Sequence, residues 1–153
     1  MLSSWLILAS GLVLAIYWFR HNCRAILSSR WARDYASQVA SANHLSFLEV
    51  QYGLEADGEP GRMHSLSQSL LRDYRILSYL LRHTGEAQWG PESFDARMLM
   101  LDFRLMQGWY SVTRKISRGQ ARRALEEMSG VLTHLANCMG QRTILNGSGV
   151  SRG

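Results

Sequence analysis

The sequence predicts an all-α protein: one N-terminal transmembrane helix followed by a three- or four-helix antiparallel bundle. Three observations carry that expectation. The first nineteen residues, Met1 to Phe19, hold no charged side chain and end abruptly at Arg20. Apolar residues in the later segments recur at intervals of three and four, the period of a helix face. No segment alternates apolar and polar residues long enough to read as a strand, and short connections favour antiparallel neighbours.

At 1.5 Å per residue the leading run spans roughly 28 Å as a helix, close to the hydrocarbon thickness of a bilayer. A cleaved signal needs a basic leader and a small-residue cleavage site. Met1-Leu2-Ser3-Ser4 has no basic side chain, and the run ends in the bulky Ile16-Tyr17-Trp18-Phe19. Nor is Cys23, after Phe19-Arg20-His21-Asn22, preceded by the small apolar run of a lipidation site. The expectation is therefore an uncleaved anchor over residues 1–19, ahead of a cleaved signal or a buried soluble helix. Trp5 near one end and Tyr17 with Trp18 near the other suit the two membrane interfaces. Arg20, Arg24, Arg30 and Arg33 all precede the first acid, Asp34. The positive-inside rule then puts the N-terminus outside the cell membrane and the C-terminal part in the cytoplasm. Gly11 and Ala15, four apart, have the spacing that lets a second spanning helix approach closely, although small residues also serve as lipid-facing filler.

The 153 residues leave room for one ordinary domain beyond the anchor. Cys23 and Cys138 stand in unrelated contexts, which argues against a disulfide framework or a zinc knuckle. Net charge is +5, carried by sixteen arginines and the single Lys115. Its distribution is uneven: Glu49, Glu55, Asp57 and Glu59 form an acidic stretch, and Arg114, Lys115, Arg118, Arg122 and Arg123 a basic one.

Residues 20–52 contain no Pro or Gly and read as a juxtamembrane helix or stalk, with Leu27, Trp31, Tyr35, Val39 and Ala42 on a loose stripe. Residues 53–62, centred on Asp57-Gly58-Glu59-Pro60-Gly61, read as a loop. The bundle then occupies 63–141. Its first helix, 63–84, places Leu66, Leu70, Tyr74, Leu77 and Leu81 on one face and closes at Thr84-Gly85. Trp89-Gly90-Pro91 is a connector, with Pro91 suited to the first turn of the next helix. That helix, to about Thr113, carries two stripes. One is Phe94, Met98, Leu101, Leu105 and Trp109; the other is Leu99, Phe103, Met106 and Tyr110. So wide an apolar face predicts the central helix of the bundle. Ser117-Arg118-Gly119-Gln120 fits a capping box. The final helix follows, with Ala121, Ala124, Leu125, Met128, Leu132, Leu135 and Met139 inward and Gly140 as its stop. The tail, 142–153, has too little to bury and is expected to be disordered.

The chain offers little chemistry. Asp102 lies between Leu101 and Phe103, and Leu71-Arg72-Asp73-Tyr74-Arg75 resembles its setting. Two such carboxylates could share a site, but an interhelical ion pair, or a place at the edge of the apolar face, is the favoured expectation. The five histidines, His21, His44, His64, His83 and His134, show no paired-ligand spacing, and His134 with Cys138 at i, i+4 is thin support for a metal. No phosphate-binding glycine loop, nucleophile elbow or haem-attachment motif is present. No catalytic, cofactor-binding or metal-binding residue is therefore assigned.

The basic stretch is less easily absorbed. Arg114 and Lys115 suit a helix C-terminus, but Arg118, Arg122 and Arg123 open a helix, where cations oppose the macrodipole. They form a candidate patch for an anionic partner. The leading expectation is a membrane-anchored accessory, scaffold or interaction subunit with a protein partner or a second copy of itself. The alternative is a membrane-tethered regulator that binds nucleic acid or another polyanion through residues 114–123.

Overall fold

The computed structural model describes residues 2–28, 34–56, 60–83 and 91–150, which form six helices with no strand among them. The chain divides into two compact units, Met1–Arg30 and Trp31–Gly153. The connectors 57–59 and 84–90, including Thr84, Gly85 and Trp89, lie outside the described residues.

Helix α1, Leu2–Ser28, is continuous for 27 residues and carries on through Arg20 and Arg24. It is long and apolar enough to cross a membrane. From Ser3 to Trp18 every side chain is exposed, Gly11 and Ala15 included.

The helix expected over 20–52 is interrupted. Beyond α1 come two short helices, α2 (Ala36–Ala42) and α3 (Phe47–Ala56). The stop between them is a Schellman-type turn. Leu45 N–H donates to Ala40 O at 2.9 Å and His44 N–H to Ser41 O at 3.5 Å, with His44 at φ 52°. Glycine usually takes that left-handed position, and histidine in its place left no sign in the sequence.

The loop expected over 53–62 is shorter than that. Helix α3 runs through Gly53, and α4 (Pro60–His83) opens on Pro60, whose missing N–H is harmless at a first helical position. Helix α5 (Pro91–Thr113) uses Pro91 in the same way, as expected. Ser117 stands at the N-cap position of α6 (Arg118–Val150).

Helix α6, rather than α5, is central. It packs against α5, α4, α2 and α3. Its expected face is buried except for the half-buried Met139, and Ser129, Val131, His134, Ala136, Asn137 and Cys138 are buried as well. Only one of the two stripes on α5 enters the core. Leu99 and Phe103 are fully buried, whereas Phe94, Leu101, Leu105 and Trp109 are 64%, 52%, 44% and 51% exposed. The wide apolar face therefore did not mark a central helix; α2 and α3 fill the second side of α6 instead.

Nor does α6 stop at Gly140 or leave a disordered tail from 142: the helix runs on to Val150. A formed helix extends without a new nucleation cost. Gly140 has a different use. A β-carbon there would overlap Tyr35 Cβ and stand 3.0 Å from its Cγ, so glycine lets the start of α2 lie against α6.

Two buried acceptors hold the short helices in place. Asn137 Oδ1 on α6 accepts Tyr35 N–H at 2.6 Å, and Asp73 Oδ2 on α4 accepts Ser46 N–H at 2.6 Å. Each satisfies a donor at a helix start that has no partner within the helix. Arg72 Nη2 donates to Ser46 Oγ at 3.0 Å, so consecutive residues of α4 grip the same turn.

Candidate functional site

The most concentrated charge lies where the start of α4 meets the turn between α5 and α6. A cavity of about 280 Å³ opens there, lined by Met63, His64, Tyr110, Arg114, Lys115, Arg118 and Ala121. The turn is short because Arg114, Ile116 and Ser117 donate backbone N–H bonds to Tyr110 and Thr113 carbonyls, at 2.9, 2.9 and 2.8 Å. It thereby carries the cations at the end of α5 onto those at the start of α6.

His64 arrives from α4. Its Nδ1 lies 3.4 Å from Arg114 Nη1, and its Nε2 lies 3.3 Å from Gln68 Nε2, so the ring joins α4 to the end of α5. Tyr110 forms part of the wall and is 4% exposed. Burial pushes its phenol above the ordinary 10.0, with Arg114 acting in the opposite direction. The hydroxyl therefore stays protonated at neutral pH and offers a donor. Among the described residues no carboxylate lines this cavity.

Of the five basic residues singled out in the sequence, Arg114, Lys115 and Arg118 share the cavity, and Arg122 and Arg123 do not. Arg122 Nε instead pairs with Glu126 Oε1 at 2.9 Å, one turn along α6. His64 and Tyr110 are the residues that sequence reasoning missed. Tyr110 had been read as core, and His64 lies fifty positions from Arg114 with no motif to join them.

The second feature is the outer side of α5. Phe94, Leu101, Leu105, Trp109 and Val112 lie along it, all exposed, with Ile116 just beyond the helix at 79%. Arg97 and Arg104 are exposed along one border. Spacings of 3, 4 and 7 make these apolar side chains one continuous stripe.

Asp73 is used structurally. Asp73 is fully buried, and desolvation raises its pKa above 3.8 despite hydrogen bonds from the Ser46 and Phe47 N–H groups and the charge of Arg72. The Arg72 contact, at 3.6 Å, comes from its own neighbour on α4, so the interhelical ion pair expected for Asp73 is replaced by capping of α3. Asp102 is also fully buried, on α5. Burial lowers the pKa of His134, with the charge of Asp95 opposing. Cys23 and Cys138 are free thiols. Among the described residues no three His, Cys, Asp or Glu side chains gather as metal ligands would. No protein-family model, curated protein or solved structure matches the chain.

Proposed function

We propose that this chain is a single-pass membrane protein whose helical remainder serves as an accessory or scaffold subunit of a membrane assembly. The observation that carries the reading is α1: sixteen consecutive residues, Ser3 to Trp18, are exposed on a helix with no charged side chain before Arg20. Burying that much apolar surface in lipid removes the cost of leaving it in water, at about 25 cal/mol per Å². On the positive-inside rule the N-terminus is outside the cell membrane and the bundle cytoplasmic. We read α4, α5 and α6 as the antiparallel members of that bundle, with α2 and α3 as its fourth side.

The α5 stripe supports an interaction role. Its rim at Arg104 calls for a partner helix whose apolar face is edged by carboxylates, so that desolvation at the centre and charge at the border both favour docking. Crosslinking from position 105 in intact membranes, followed by purification in mild detergent, tests this. A stoichiometric companion that is lost on Arg104→Glu is the expected result. A monomer with no crosslinked companion would refute it.

A second reading, favoured by the convergence of His64, Arg114, Lys115 and Arg118, is that the cytoplasmic part binds a polyanionic partner at this corner. Its signature would be affinity that falls as salt rises and that is weakened by charge reversal at Arg118.

A further inference from the structure

We infer that the cavity between α4 and the α5–α6 turn is a binding site for a phosphomonoester group. The inference rests on the second reading above and makes it specific, naming the anion and the residues that hold it.

The four cationic or potentially cationic side chains come from separate parts of the chain: His64 from α4, Arg114 and Lys115 from the turn, Arg118 from the first residue of α6. A folded corner that gathers like charges, with no carboxylate in its lining among the described residues, carries mutual repulsion, which a doubly charged oxyanion relieves. Arg supplies paired planar donors matched to phosphate oxygens, and Lys a compact charge. The first-turn amides of α6 add donors at the same end.

Tyr110 is the independent observation. Its residue is 4% exposed and lines the cavity. The phenol keeps its proton, so an oxyanion in the cavity would accept a hydrogen bond from it. His64 positions Arg114 through the 3.4 Å contact.

The shape favours a compact group over a nucleic-acid strand. A cavity of about 280 Å³ has room for one phosphate group with a short substituent. A strand needs a track of cations with stacking surfaces. Here Arg122 is turned to Glu126, and the next cation along α6 is outside the lining. The same phosphomonoester could belong to a soluble metabolite or to a lipid headgroup such as phosphatidic acid.

The test uses the full chain in nonionic micelles, with inorganic phosphate and glycerol 3-phosphate as soluble probes, read by thermal unfolding and by ³¹P line broadening. Saturable stabilisation is expected. Arg114→Gln and Arg118→Gln should each weaken it at least tenfold, Tyr110→Phe about three- to tenfold, and Arg123→Gln should leave it unchanged. A separate arm uses nanodiscs of phosphatidylcholine doped with phosphatidic acid or phosphatidylserine, read by native mass spectrometry. Retention of phosphatidic acid, lost in Arg118→Gln, supports the lipid source; saturation by soluble probes alone supports the metabolite source. The inference is overturned if neither probe class binds, if Arg123→Gln costs as much as Arg118→Gln, or if only a single-stranded oligonucleotide binds. That last outcome would leave the polyanion reading standing while removing this one. If Tyr110→Phe melts early without ligand, the Arg114 and Arg118 variants alone decide.

Discussion

Asp73 carries a capping duty for a helix that is not its own, and replacing it with alanine tests that assignment. The substitution removes the acceptor of the 2.6 Å bond from Ser46 N–H and of the bond from Phe47 N–H, leaving donors unsatisfied at a buried helix start. Hydrogen bonds to a charged group are worth about 1.5–3 kcal/mol, and loss of an N-cap side chain costs about 0.5–2 kcal/mol. Both figures describe the same bonds and do not add. Desolvation works against them, since the carboxyl is fully buried and its pKa raised, so removing the charge recovers part of the loss. The net expectation for Asp73→Ala is a loss of about 2 kcal/mol. Asp73→Asn keeps an oxygen facing the N–H groups and should lose less than half of that. The sign with pH follows from the raised value: the stability Asp73 adds is full below 3.8 and declines as pH rises through its folded pKa. Asp73→Asn should flatten that decline. Urea unfolding of the full chain in micelles, followed by far-UV circular dichroism, measures both variants, and hydrogen exchange at Phe47 to Val50 localises the effect. Coincident curves for wild type and Asp73→Ala, or equal losses for the two variants, would refute the capping role.

Gly140→Ala puts a methyl group into Tyr35 and should cost about 1–3 kcal/mol in the same unfolding assay, because overpacking forces the start of α2 off α6. His44→Gly relieves the positive φ and should stabilise by up to about 1 kcal/mol, visible as a higher denaturant midpoint. Burial holds the His134 pKa below 6.5, so its neutral ring adds stability that is present above 6.5 and lost as pH falls through the lower folded value. Midpoints measured between pH 7.5 and 5 should therefore fall more steeply for wild type than for His134→Gln. Leu105→Ser, on the exposed side of α5, should change stability by less than about 0.5 kcal/mol, since no core contact is lost.

Periodicity made the buried faces of α4 and α6 legible, because Leu70, Leu77, Leu125, Leu132 and Leu135 repeat at helical spacing and each ends at 0% exposure. It failed where tertiary packing decided. The two stripes of α5 look alike in sequence, yet only that of Leu99 and Phe103 meets another helix. The break at His44 was hidden because its left-handed turn uses histidine where glycine would have signalled it. Gly140 carries the opposite lesson: a glycine that resembled a helix stop is a point of close approach. At the basic corner, three of the five cations were visible as neighbours in sequence. His64 and Tyr110 join them only through the packing of α4 on α6 and the burial of one side of α5.

The proposed anchoring requires that α1 remain attached and embedded in lipid. Extraction of native membranes with carbonate at high pH, with the N-terminus of the retained protein sequenced, tests this directly. The account predicts that the protein stays in the membrane pellet with the residues before Arg20 intact. Release into the supernatant, or a mature chain that begins after Phe19, would contradict it.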